Sequence, residues 1–150
     1  MTLLTGQHVT PHFSHGLKYI DFVGRTCTLT EVTSNGKVTG TYSDGKVTRE
    51  SRSPVHTIKP IFRNLSMVTD TIIHNGEEWC GLATLIEGVG KDTWKHFYKP
   101  LFESKSMLEL IDHLPHWFVV ELEKRMFDMK WMIGRDLAVD VDTLKYNPYA

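Results

Sequence analysis

The residues best suited to chemistry form one run, Gly88-Val89-Gly90-Lys91-Asp92-Thr93 followed by Trp94-Lys95-His96-Phe97-Tyr98-Lys99. Glycines ahead of a helix leave backbone N–H groups free to hold phosphate, and the helix N-terminus adds a favourable dipole. Lys91, Lys95 and Lys99 recur every fourth residue and share one helical face, while Trp94 offers an indole on which a base can stack. Gly88, Gly90, Lys91, Trp94, Lys95 and Lys99 are therefore the candidate ligand- or phosphate-binding residues. The run is not a P-loop. The first glycine of Gly-x4-Gly-Lys-Ser/Thr would fall at Leu85, and Asp92 stands where the Mg²⁺-binding hydroxyl belongs. A plainer reading competes, in which Asp92 caps a helix, the lysines are solvated, and Trp94, Phe97, Tyr98 and Leu101 form its buried stripe.

Two further constellations are candidates for binding. Arg49, Arg52, Lys59 and Arg63, with His56, cluster near the end of a strand-rich stretch, where a small β module can contact the phosphates of a nucleic acid. Trp117, Phe118, Trp131, Met132, Tyr146 and Tyr149, together with Phe127, are more large apolar side chains than one helical stripe needs. Aromatic and Met residues left over from a core are the types that anchor protein interfaces.

Catalysis and metal binding find little support. Cys27 sits mid-strand with only Arg25 as a basic neighbour, no serine lies on a nucleophile elbow, and Glu121 and Glu123 point apart on a helix. His8, His12 and His15 have helical spacing, but Pro11 and Gly16 oppose the helix that would converge them. His113 and His116 flank Pro115 without a nearby cysteine, and Asp136, Asp140 and Asp142 lack the glycine and terminal glutamate of an EF-hand. The chain reads as a non-enzyme with no cofactor and no metal.

The elements that must position these residues follow from patterning. Three hairpin signals, at Asn35-Gly36, Asp44-Gly45 and Asn75-Gly76, favour tight turns because a type I′ loop needs positive φ at both central residues. Strands are expected over 17–23, 27–33, 37–42, 46–50 and 55–62, rich in Thr, Val and Ile. Pro60, lacking an N–H, should end the last strand or lie on an edge. These strands suggest a small SH3-like β-barrel or a bent antiparallel sheet. A capped link follows at 65–69, with Ser66 as its cap. Next comes a hairpin joining 71–73 to a strand over 78–86 that is apolar on both faces. Helices are expected over 92–98, running up to Pro100, over 106–114 and over 115–132, the last with Gly134 as its C-cap. The alternating tail 137–142 reads as a final strand.

The 150 residues suit one α+β domain over 17–150, its 17–63 β module and 64–150 hairpin-plus-helix unit sharing one core, preceded by an N-terminal arm over 1–16. Residues 1–75 hold 8 Lys/Arg against 5 Asp/Glu and residues 76–150 hold 9 against 13, so +3 is followed by −4. That asymmetry is too mild for a dedicated nucleic-acid binder. The first residues lack a signal peptide's basic region, and no segment has the ~18 apolar residues of a membrane span. The expected location is the cytoplasm, with no membrane partner.

The segment Lys59-Pro60-Ile61-Phe62-Arg63-Asn64-Leu65-Ser66-Met67-Val68-Thr69 resembles a motif in small uncharacterised accessory proteins of Bacteroidetes phages and prophages. Those proteins carry Lys-Pro-Ile/Leu-Leu-Arg-Pro-Leu-Ser-x-Leu-Thr after a short β-rich segment. Phe127-Asp128-Met129 and Leu137-Ala138-Val139-Asp140 are similar to that family's Phe-Asp-Val helix end and Leu-Ala-Ile-Asp tail, and Asn75-Gly76 falls where it has a hairpin. Asn64 departs from the family's proline, and the segment 88–104 has no counterpart there. The family lends no residue a role. The resemblance implies a mobile-element accessory protein in a bacterial cytoplasm, a class that includes inhibitors of host defence. The expected function is thus non-catalytic binding of a host or phage protein, or self-association. A nucleotide-sequestering protein and a nucleic-acid-associated barrel are the alternatives.

Overall fold

The computed structural model describes residues 3–9, 12 and 15–150. It is a mixed α+β fold built on a six-stranded sheet and a two-stranded hairpin. The large sheet takes β1 (Lys18–Ile20), β2 (Thr26–Val32), β3 (Lys37–Asp44), β4 (Val47–Pro54), β5 (Lys59–Phe62) and β8 (Val139–Asp140) in the order β4-β3-β2-β1-β5-β8. All neighbours are antiparallel except β5 and β8. The sheet stays open, with β4 and β8 at its edges, so the barrel alternative is corrected to an open antiparallel-dominated sheet. The smaller sheet pairs β6 (Thr71–His74) with β7 (Glu77–Cys80).

All three hairpins form, with differing loops. Asn75 and Gly76 both have positive φ (51° and 82°), as a type I′ turn requires. In the other two hairpin turn pairs only the glycine, Gly36 or Gly45, has positive φ, and Asp44 is drawn into β3 opposite Val47. The expected strand 55–62 is split: Val55–Thr57 is a 3-10 turn, and only Lys59–Phe62 is extended. Pro60 is tolerated because β8 joins β5 only from Ile61 onward.

Two further expectations are corrected. Residues 81–86 do not continue β7 but open helix α2 (Gly81–Val89). A short apolar run does not discriminate strand from helix by itself. Here the helix lets Gly81 press against Val68, whose carbonyl would lie 2.9 Å from any Cβ at that position. Helix α6 covers His116–Lys124 rather than 115–132, so Gly134 caps no helix. Asn64, not Ser66, caps the Leu65–Thr69 turn by accepting from Ser66 N. The other helices are α1 (Gly6–Val9), α3 (Lys91–Thr93), α4 (Lys99–Ser104) and α5 (Met107–Leu110). A π-helical turn over Trp94–Tyr98 joins α3 to α4, and this wide turn lets the path continue through Pro100.

The core has two clusters. One lies under the large sheet and includes Leu17, Tyr19, Leu29, Val38, Phe62, Met126 and Tyr149, together with Leu4 and Val9. Within the described part of 1–16, Leu4, Val9 and His12 are buried, while Leu3, Thr5 and Gln7 are exposed. The other cluster, with Val68, Leu85, Tyr98, Phe118, Leu122 and Phe127, lies among the helices and the small hairpin. Met126 and Phe127 are consecutive, so the two clusters meet at that peptide. No helix among the described residues is long and apolar enough to cross a membrane.

Candidate functional site

The glycine–lysine run does not assemble a phosphate site. Gly88 lies inside α2, and a Cβ there would overlap the Trp117 indole, so this glycine serves helix packing. Gly90, at φ 89°, turns the chain between α2 and α3. The preceding element is a helix, which removes the strand–loop–helix setting that a phosphate nest needs. Lys91, Lys95 and Lys99 are solvent-exposed, while Trp94 is half-buried and meets Phe102 edge-on at 5.2 Å. Phe97 is exposed, contrary to the expected buried stripe.

The basic cluster is dispersed. Arg49 pairs with Asp44 at 3.0 Å, Arg52 with Glu50 at 3.5 Å and Lys59 with Asp136 at 2.9 Å. Arg63 is buried and corrects its assignment as a nucleic-acid contact. Its Nε donates to the Arg125 carbonyl at 3.1 Å, and Nη2 donates to the Ile73 carbonyl at 2.9 Å and to His74 Nδ1 at 3.2 Å. Cys27 is buried beside Asp21, and burial pushes its thiol pKa up, so it is a poor nucleophile. Among the described residues no three His, Cys, Asp or Glu side chains converge on a metal position.

The aromatic set divides sharply. Phe118, Met132 and Tyr149 are buried, as is Phe127, which corrects their place in an exposed interface. Trp117, Trp131 and Tyr146 remain 42%, 55% and 67% exposed. Of these, Trp131 is the one whose backbone is held in an uncommon conformation. After α6 the chain is pulled out of the helix by Arg63, whose N–H donates to the Met126 carbonyl at 2.7 Å and whose carbonyl accepts from Asp128 N at 2.9 Å. Met126, Trp131 and Asp136 all adopt positive φ (62°, 52° and 58°), which non-glycine residues rarely do. The Asp128 carboxylate holds the loop by accepting from Met132 N and Ile133 N, each at 2.8 Å. The Trp131 indole covers Gly134 so closely that a Cβ there would overlap it.

Trp131 thereby forms one wall of a 440 Å³ groove with Leu65, Met107 and Ile133, bordered by Asn64, Ser106 and Asp128. Strained backbone persists only where its surroundings over-determine it, and it clusters at binding sites. The Trp131 indole is thus presented at the surface with its backbone held in this conformation and its ring against Gly134. Of the expected site residues, Trp131 alone lines this groove. The loop's own determinants, Asp128 and Gly134, were missed. The signal available was an Asp four and five residues ahead of the N–H groups it receives, and a glycine three residues after Trp131.

Away from the loop, two histidines resist protonation. His74 has its pKa pushed down from 6.5 to about 4, first by burial and then by the charges of Arg63 and Arg125. His12, 3% exposed and bonded through Nδ1 to the Glu123 carbonyl, is also lowered to about 4, chiefly by burial. Between those values the unfolded chain binds protons that the fold refuses. The histidine contribution to stability is thus fully present above pH 6.5 and declines as pH falls toward 4. For His12 the slope should approach ~1.4 kcal/mol per pH unit, and for half-buried His74 solvent screening makes it smaller. Urea unfolding at pH about 7 and about 5 should show this loss, reduced in His12→Asn. An unchanged pH slope in that variant would refute the assignment.

Compared with known proteins, the chain matches no family model, no curated protein and no solved structure.

Proposed function

We infer that this is a non-catalytic binding protein whose partner is another protein chain, gripped at the Trp131 groove. The observation that carries this reading is the posture of Trp131: a large indole held at the surface by a positive φ, a glycine beneath it and the two bonds to Asp128. The groove is lined by apolar side chains with a polar border, the anatomy of a small interface centre. The likeness of residues 59–69 to phage accessory proteins supports a host or phage protein as the partner, with inhibition of host defence as the setting. The nucleotide reading has less support, because Gly88 is occupied with Trp117 and Trp94 with Phe102. The nucleic-acid reading loses Arg63 to the interior.

The test is affinity capture from a bacterial host, followed by binding of the purified partner to wild type, Trp131→Ala and Lys95→Ala. Trp131→Ala is expected to weaken binding by about 30-fold or more, the scale of an interface hot spot, and Lys95→Ala to leave it unchanged. A partner retained equally by Trp131→Ala, or no partner at all, counts against this function.

A further inference from the structure

Strand β4 is paired with β3 over its whole length, Val47 to Pro54, and its other side is the outer edge of the sheet. Such an edge presents unpaired backbone donors and acceptors and accepts another strand if the side chains permit it. On β4 the side chains select a particular partner. Arg49, Glu50 and Arg52 are exposed, while Ser51 and Ser53 are buried toward the core.

We propose that β4 pairs antiparallel with β4 of a second copy of this chain, about a two-fold axis at Ser51. In this register Glu50 of each copy lies opposite Arg52 of the other, so the symmetry makes two opposite-charge cross-strand pairs. Arg49 of each copy falls opposite Ser53 of the other, whose buried hydroxyl has no hydrogen-bond partner among the described residues. The register is selected against its neighbours. Among pairings that keep both cores on the same side of the joined sheet, sliding by one residue in each copy sets Glu50 against Glu50, or Arg52 against Arg52. The same charges that make an edge unfavourable for indiscriminate strand addition thus admit one symmetric match. Within one chain Glu50 and Arg52 stand 3.5 Å apart, both largely exposed, so the pairing re-partners charges already in place. The Trp131 loop, tied to β5 through Arg63, is at the opposite end of the sheet and is left open in such a dimer.

Sedimentation of the intact protein from ~1 to ~100 µM should show reversible conversion to twice the 17.2 kDa chain mass. Glu50→Arg and Arg52→Glu each create like-charge pairs and should weaken the dimer at least ~10-fold. Mixing the two single variants should yield a heterodimer, and the double variant Glu50→Arg/Arg52→Glu should recover the homodimer. Trp131→Ala should leave dimerisation unchanged, which separates this contact from the groove. A wild-type monomer throughout that range overturns the proposal. Single variants that dimerise like wild type, or a mixture and double variant that recover nothing, also overturn it.

Discussion

Arg63→Ala is expected to lower the unfolding free energy by about 3 kcal/mol, measured by urea denaturation at neutral pH. Arg63 is 4% exposed, and its guanidinium ties β5 to two other chain segments, reaching the carbonyls of Ile73 and Arg125 and the ring of His74, above the Tyr149 ring at 5.8 Å. Removing it leaves the part-buried Arg125 carbonyl and a His74 ring nitrogen without this donor, at a cost of about 1–3 kcal/mol each, while the Ile73 carbonyl keeps Asn147 Nδ2 at 3.2 Å; the loss is offset in part because an arginine no longer has to be desolvated. Burial lowers the Arg63 pKa, yet an arginine remains charged, so a neutral form offers no escape. Arg63→Lys should recover only part of the loss, because a single ammonium cannot reproduce the planar fork. A loss below ~1 kcal/mol would mean that water replaces the guanidinium in this site.

Phe127→Ala should cost more, about 3–5 kcal/mol, and should lower the melting of both core clusters together. Phe127 is fully buried, meets Trp79 edge-on at 6.0 Å, and is bridged through its backbone to Arg63 at the end of β5. It follows Met126, which is buried under the large sheet, so a cavity at 127 loosens the peptide at which the two clusters touch. Tryptophan fluorescence, to which Trp79 and Trp94 packed on the helical cluster contribute, and far-UV circular dichroism, which includes the sheet, should fall in one coincident transition. Separate midpoints, or proteolysis near Asn64 that releases two stable halves, would show instead that the chain is two independent units.

Local chemistry is what the sequence by itself determined. The three turn pairs had to bend because Gly36, Gly45 and the Asn75-Gly76 pair accept positive φ, and the Thr- and Val-rich runs between them had to extend. Those signals depend on neighbours within a few residues, so they are readable without a fold. Pro60 misleads: its missing N–H points to a strand end or an edge, yet β5 lies between β1 and β8 with Pro60 opposite Tyr19. Tertiary structure decided the rest. Residues 81–86 are apolar enough for a strand or a helix, and contact with Val68 chose the helix. The spacing of Phe118, Leu122, Met126 and Met129 extends a helical period past Lys124, but Arg63 draws the backbone at 126–128 to β5, more than sixty residues earlier in the chain. The candidate site follows from the same fact. Whether Trp131 packs inward or stands at the surface depends on Asp128 and Gly134 holding a loop that exists only because a buried arginine ends the helix, and no local periodicity carries that information.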